Sequence, residues 1–191
     1  MAFLRSPFAS DPPPILRDSR VMLRVPDAPD YEQWAKLRAL SRDFLTPWEP
    51  TWPANDLTRS AFRNRIRQYW RDIDDDLAYP YFIFDAGGHT LLGALTLSNV
   101  RRGVAQTGTL GYWIGAPHAR HGYMSSAVSL MLGFAFRHLS LHRVEAACLP
   151  HNQASISLLH KCGFEHEGLA RGYLKIAGEW RDHLLFARLC D

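Results

Sequence analysis

Apolar positions change their period along the chain, and each change predicts a new kind of element. Residues 15–25, ILRDSRVMLRV, alternate well enough to predict a first strand. In PDAPDYEQWAKLRAL, Trp34, Leu37 and Leu40 fall at helical spacing, with Asp27 or Asp30 as the cap that opens the helix. Prolines at 47, 50 and 53 in TPWEPTWP exclude helix and predict an exposed loop of aromatic and acidic residues. A second helix, over roughly 56–73, carries Leu57, Phe62, Ile66, Tyr69, Trp70 and Ile73 on one stripe.

From there the period shortens to two. YPYFIFD, HTLLGALTLSNV and TGTLGYWIG read as three strands, the first two joined at the Gly87-Gly88 turn. SSAVSLMLGFAFRHL is apolar on nearly every side, which predicts a helix covered on both flanks. HRVEAACL is a short strand, and NQASISLLHKC a helix with Asn152 as N-cap and Gly163 just past its end. The tail reads as two strands turning at Ala177-Gly178. Hairpins mixed with crossover helices predict an α/β (α+β) fold, a mixed sheet with helices on its faces.

With 191 residues the chain is expected to form one domain, residues 1–191, led by a loose proline-rich stretch over 1–14. A composition of 47% hydrophobic and 12% aromatic residues is that of a globular protein. No apolar run reaches the length of a membrane span, and prolines and charges break the start before a signal-peptide core can form, so a cytoplasmic protein without membrane attachment is expected. Cys148, Cys162 and Cys190 lack CxxC spacing and the nine histidines lack ligand spacing, which argues for structural thiols and against a metal site. The net charge of +3 suits an anionic cofactor or ribosomal surroundings and is too small to argue direct reading of nucleic acid.

Chemistry concentrates in GAPHARHGYMSSAV, residues 115–128, where His118, Arg120 and His121 precede a long apolar helix. The first N–H groups of a helix have no partner within it and sit at the positive end of its dipole, so this segment is suited to hold an anion.

The order of elements, GYWIG, GYM before the long helix, HRVEA, and Asn152 followed by ASISLLHKCGF resemble the GNAT superfamily of N-acetyltransferases. Within it, FLTPWEP, SNVRRG, PHNQASISLLHKCGFEHEGLA and YLKIAGEWRDHLLFA are similar to the ribosomal-protein alanine N-acetyltransferases, over about residue 15 to the end. The superfamily phosphate motif is Arg or Gln, two residues, Gly, any residue, then Gly or Ala; Pro117 to Gly122 matches only at Gly122, with Arg120 where the first glycine stands. The resemblance implies a mostly antiparallel sheet of about seven strands flanked by about four helices, with splayed central strands and acetyl-CoA as cofactor. Pantetheine would lie between the strands ending at Ile114 and Leu149, bonded to backbone near Trp113, Ile114 and Gly115. The diphosphate would sit over Arg120, His121, Gly122, Tyr123, Met124 and Ser125, with Asn152 and Ser155 on the pantetheine arm; capping of its own helix is the other role open to Asn152.

Many superfamily members carry an acidic tyrosine seven residues after this asparagine. Here that position is Leu159, so Ser155, water or an unassisted thiolate must serve. The resemblance implies acetyl transfer to the N-terminal α-amine of a protein, a ribosomal one, by direct attack in a ternary complex, with a homodimer left open. A small amine as acceptor, and a CoA-binding regulatory or ribosome-assembly factor with little turnover, are the alternatives. An α-amine with a pKa of about 7.7–8.0 is roughly one-fifth neutral near pH 7.2, whereas lysine at about 10.4 is almost wholly charged, so an N-terminal substrate has less need of a strong base. Glu49, on the loop bordering the acceptor site, is the candidate to bind the ammonium or relay its proton. Glu145 is either near the cofactor or paired with an arginine; Tyr112 and Asn99 face the cleft if the strand register permits; Asp182 and His183 read as structural.

Overall fold

The computed structural model describes residues 12–190; positions 1–11 of the expected loose lead lie outside the described residues. The first predicted strand is two, β1 (Leu16–Arg17) and β2 (Val21–Arg24). The Asp18 carboxylate accepts the N–H groups of Arg20 at 2.7 Å and Val21 at 2.8 Å and so turns the chain in the middle of the alternating run. Of the two candidate caps, Asp27 caps a 3-10 turn over Ala28–Asp30, while Asp30 stands at the N-cap of the helix that follows without a side-chain capping bond to it. Asp27 accepts from the Ala28 N–H while Asp30 accepts from that of Asp27, and the resulting single helical turn leads into α1 (Tyr31–Leu40).

A short α2 (Arg42–Leu45) runs into one 3-10 turn over Thr46–Trp48, so Pro47 sits inside a helical turn where the sequence predicts none. A first-turn proline has no N–H to lose, which is why the exclusion takes hold only from Glu49 onward. Next comes α3 (Arg59–Asp74), capped by the Thr58 hydroxyl, which accepts from the Ala61 N–H at 3.2 Å. The remaining elements are β3 (Tyr79–Asp85), β4 (Leu91–Arg101), β5 (Thr107–Ile114), α4 (Tyr123–Arg137), β6 (Arg143–Cys148), α5 (Gln153–Lys161), β7 (Glu165–Ile176) and β8 (Glu179–Leu189). Among the described residues there are thus eight strands and five α-helices, one more of each than the resemblance implies.

The strands form one sheet in the order β1-β2-β3-β4-β5-β6-β8-β7. Neighbours are antiparallel except β5 and β6, which run parallel. Each face carries its own core. On one, Leu95, Leu97 and Leu110 meet Ala127, Val128 and Met131 of α4 and Leu159 of α5. On the other, Trp34, Phe62, Phe82 and Ala94 pack beneath α1 and α3, with Trp113 against them. The flanked character predicted for α4 is observed, since only Ser129 and Arg137 of that helix are exposed. No helix among the described residues is long and apolar enough to cross a membrane.

Because side chains alternate along a strand, Thr96, Gly111 and Trp113 share the α1–α3 face with Ala94, while Leu95, Leu110 and Tyr112 share the α4 face. The β4–β5 contact is close at one point. Gly93 lies opposite Ile114, and a Cβ there would run into the backbone of Trp113 and Ile114. That contact holds the Ile114 end of β5 against β4 and leaves its other edge to separate.

Candidate active site

Parallel pairing of β5 with β6 covers only Thr107–Arg143, Gly108–Val144 and Thr109–Glu145. Beyond Thr109 the two strands part, although β5 stays bonded to β4 as far as Ile114 and β6 to β8 as far as Cys148. The splay implied by the resemblance is therefore present. Gly111 is exposed and Tyr112, Trp113, Ile114 and Ala147 are half-buried, so a wedge opens to solvent within the sheet. A strand edge of this kind offers N–H and C=O groups to an extended ligand arm. Gly115 departs from the expectation: its N–H donates to Leu92 O at 2.8 Å and its carbonyl accepts from the His118 N–H at 2.9 Å. Its backbone is spent on the fold, and its missing side chain makes room for Leu37 of α1.

At the mouth of the wedge, Ala116–His118 make one 3-10 turn and the chain then takes two left-handed residues, Arg120 at φ +67° and Gly122 at φ +80°. Gly122 is the N-cap of α4, and the first bond inside the helix is Ser126 N–H to Gly122 O at 3.3 Å. The amides of Tyr123, Met124 and Ser125 thus precede any helical partner. The Ser125 hydroxyl donates to Gly122 O at 2.9 Å and ties the turn down. Arg120 holds the conformation that a glycine would adopt freely, at a cost of about 1–2 kcal/mol. Met124 is buried in the core and contributes backbone only, while the Tyr123 ring stacks on His121, centroids 5.9 Å apart.

Positive charge gathers here from distant parts of the chain. Arg20, in the β1–β2 turn, donates its guanidinium to His121 O and lies 5.9 Å from the Tyr123 ring centre. Its position 101 residues before His121 is why the sequence pattern gave no sign of it. Burial, and secondarily His121, hold the His118 imidazole below its ordinary 6.5. The loop therefore combines left-handed turns, amides without helical partners and the Arg20 and Arg120 guanidinium groups, chemistry suited to an anion such as a diphosphate.

Across the wedge, the Asn152 side chain accepts from the Ser155 N–H at 3.1 Å, which caps α5 and leaves its amide NH₂ free to donate elsewhere. Ser155 Oγ lies 2.6 Å from the Tyr112 hydroxyl. Burial pushes the Tyr112 phenol well above its ordinary range and keeps it protonated, so it can donate to Ser155, whose side chain also meets the Cys148 thiol. Leu159 is fully buried in the core and supplies no polar group.

On the α1–α3 face a cavity of about 390 Å³ reaches β5 at Gly111, Tyr112 and Trp113. The loop predicted to be exposed has Thr46, Pro47, Pro50, Thr51 and Pro53 open to solvent, while its half-buried Glu49 and Trp52 line the cavity. Arg38 donates to both Glu49 oxygens at 2.7 and 2.8 Å, and Trp52 Nε1 donates to Glu49 Oε2 at 2.7 Å. The Ala177 N–H at the tip of the β7–β8 hairpin donates to Glu49 O at 2.9 Å. The Arg65–Asp56 pair, 2.6 Å apart, also lines this space together with Trp34, Tyr69 and Phe82.

The other candidates lie elsewhere. Glu145 pairs with Arg143 at 2.9 Å and Arg101 at 3.6 Å, the surface alternative. Asn99 is exposed in a bulge of β4, beside the part of β5 that remains zipped to β6. Asp182 accepts the Gly172 N–H at 2.7 Å, and buried His183 has Nδ1 3.0 Å from Arg181 O, both fixing the β7–β8 hairpin. Among the described residues no group of His, Cys, Asp or Glu could hold a metal ion.

Residues 20–165 match the acetyltransferase (GNAT) domain, and the chain belongs to that family. The Bacillus subtilis (strain 168) protein YjcK is 34% identical over 175 residues, 92% of this chain and 97% of the relative. The Escherichia coli (strain K12) [Ribosomal protein uS5]-alanine N-acetyltransferase is 34% identical over 172 residues, 90% of this chain and 89% of the relative. Mycobacterium smegmatis RimJ, solved in complex with CoA-disulfide, superposes with a TM-score of 0.89 at 28% identity, covering 93% of this chain and 88% of that one. The protein is an acetyl-CoA-dependent N-acetyltransferase. The alternative of a CoA-binding factor with little turnover gives way to an enzyme.

The strained turn gives a direct test. Arg120→Gly relieves the left-handed conformation and is expected to raise the stability of the free protein by about 1 kcal/mol, read by urea unfolding. An unchanged or lower stability would contradict the assignment of strain to this residue.

Proposed function

We propose that the enzyme moves acetyl from acetyl-CoA to the N-terminal α-amine of a protein, a ribosomal protein, by direct attack in a ternary complex in the cytoplasm. The observation that carries this reading is the opening between β5 and β6, which meets an anion-ready helix start at one end and the cavity on the opposite face at Gly111–Trp113. Two ligands can therefore meet across β5 without crossing each other. The Escherichia coli relative, named for an alanine of ribosomal protein uS5, supports the acceptor class.

In this reading the amides of Tyr123 to Ser125 face the diphosphate, with Arg20 and Arg120 adding charge and the His118 and His121 rings offering hydrogen bonds. Asn152 holds the pantetheine arm through its free NH₂, and the outer edge of β5 near Trp113 and Ile114 pairs with it. Acetyl-CoA supplies the acetyl group already activated as a thioester. The neutral amine forms the N–C bond, the C–S bond breaks, and its electron pair stays on sulfur. Ser155 Oγ–H, oriented by Tyr112, delivers a proton to that sulfur, and the proton lost by nitrogen passes to water and restores the hydroxyl. Glu49, with three donors already on its carboxylate, keeps the loop closed over the cavity and does not act as a strong base. An α-amine near pKa 7.7–8.0 makes about one-fifth neutral form available without one.

A second reading, a small amine as acceptor, is favoured by the aromatic walls of the cavity, in which the carboxylates already have cationic partners. Thiol release with peptides matching ribosomal-protein N-termini, run beside polyamines and amino-sugar antibiotics, separates the two. The proposal expects turnover on a subset of the peptides and little on the amines; turnover confined to the small amines would overturn it. Ser155→Ala is expected to lower kcat about a hundredfold with a smaller effect on the KM for acetyl-CoA. Tyr112→Phe, which keeps the ring, should lower kcat severalfold; unchanged kcat in both variants would remove the pair from the reaction.

A further inference from the structure

Thr109–Glu145 is the last pair that joins β5 to β6, and alternation fixes which residues follow on each face. Toward α4 and α5 the parting strands present Tyr112 and Cys148, with the Ser155 hydroxyl 2.6 Å from that of Tyr112. Toward the cavity they present Gly111 and Ala147, the two smallest residue types. At its closed end the wedge is thus lined with polar groups on one face and bare on the other.

Nothing in the fold asks for glycine at 111. It lies in the body of β5, paired with Thr96, and has no positive φ. A Cβ built there meets no atom within 4 Å, so packing does not require its absence either. Glycine weakens a strand, and inside one it marks the close approach of a ligand or another backbone. A second observation lies on the same side: the cavity of about 390 Å³ has Gly111 and Thr96 in its wall, so the space left by the missing side chain continues into it. Across the opening, half-buried Ala147 adds only a methyl group.

We infer that the enzyme is not confined to acetyl transfer: CoA thioesters with acyl chains of three and four carbons are also donors, their added methylenes passing over Gly111 and Ala147 into the cavity. The inference concerns the donor, leaves the acceptor class aside, and rests on the placement of the thioester at the β5–β6 opening. One methylene against a closed hydrophobic pocket is worth about 10–200-fold in kcat/KM. Here the closing wall is absent on the cavity face, so a longer chain costs little. The reaction is otherwise the same. The amine nitrogen bonds to the acyl carbon, the C–S bond breaks with its electron pair on sulfur, and CoA leaves as the thiol by the proton route through Ser155.

The test compares acetyl-, propionyl- and butyryl-CoA by thiol release on the full-length enzyme, with the acylated product identified by mass. One acceptor that turns over with acetyl-CoA is held fixed, whether peptide or small amine, so the outcome does not depend on the acceptor class. The wild type should use propionyl-CoA within about tenfold of acetyl-CoA in kcat/KM; a larger drop would overturn the inference. Gly111→Val and Ala147→Val, each checked by its unfolding midpoint, should lower the use of butyryl-CoA about tenfold or more relative to acetyl-CoA. Gly111→Ala should shift the ratio in the same direction and keeps the test open where a valine variant does not fold. An equal loss with all three donors would mean that the bare floor serves the acceptor alone, which overturns the inference and leaves the thioester where it is placed. Unchanged rates with every donor in every variant overturn the placement itself.

Discussion

The structure depends on an interruption: β5 and β6 are bonded over three residue pairs and then separate inside a continuous sheet. Such a gap is costly unless each strand is held from its other side. Here β4 holds β5 through the close approach at Gly93, and β8 holds β6 through six successive pairs from Arg143 to Cys148. Helices α4 and α5 then pack against the wedge from one face, burying Met131, Leu132 and Leu159. The Tyr112–Ser155 hydrogen bond ties β5 to α5 on that face.

The two sides of β5 treat charge differently. On the helix-start side the Arg20 guanidinium donates to the His121 carbonyl and not to a carboxylate, and Arg120 joins it in the same loop, so their field remains available to an anion. On the cavity side every carboxylate named above is neutralised in place, Glu49 by Arg38 and Asp56 by Arg65. The cavity is thus charged in its parts and nearly neutral as a whole. An acceptor entering it is selected by geometry and hydrogen bonding more than by net charge.

Local patterns in the sequence carried the helices, the hairpins at Gly87-Gly88 and Ala177-Gly178, the Asn152 cap and the helix start after Gly122. These depend on neighbours within a few residues, which is what period and cap chemistry report. Contacts between distant segments were out of reach. Arg20 meets His121, Tyr112 meets Ser155, and Arg38 closes on Glu49 between two tryptophans, and no spacing rule connects those partners. The split of the first strand was missed because the Asp18 side chain turns the backbone inside an apolar alternation. At position 120 the missing glycine suggested a weakened motif, yet the arginine adopts the glycine's left-handed conformation. The surrounding fold outweighs the local preference there.

Amide hydrogen exchange on the protein with and without CoA bears most directly on the central claim, since it reads backbone groups one by one. The account predicts slowed exchange within Leu110–Ile114 and at Tyr123, Met124 and Ser125 on binding, with β7 unchanged. Protection absent from both segments, or concentrated away from the β5–β6 opening, would contradict it.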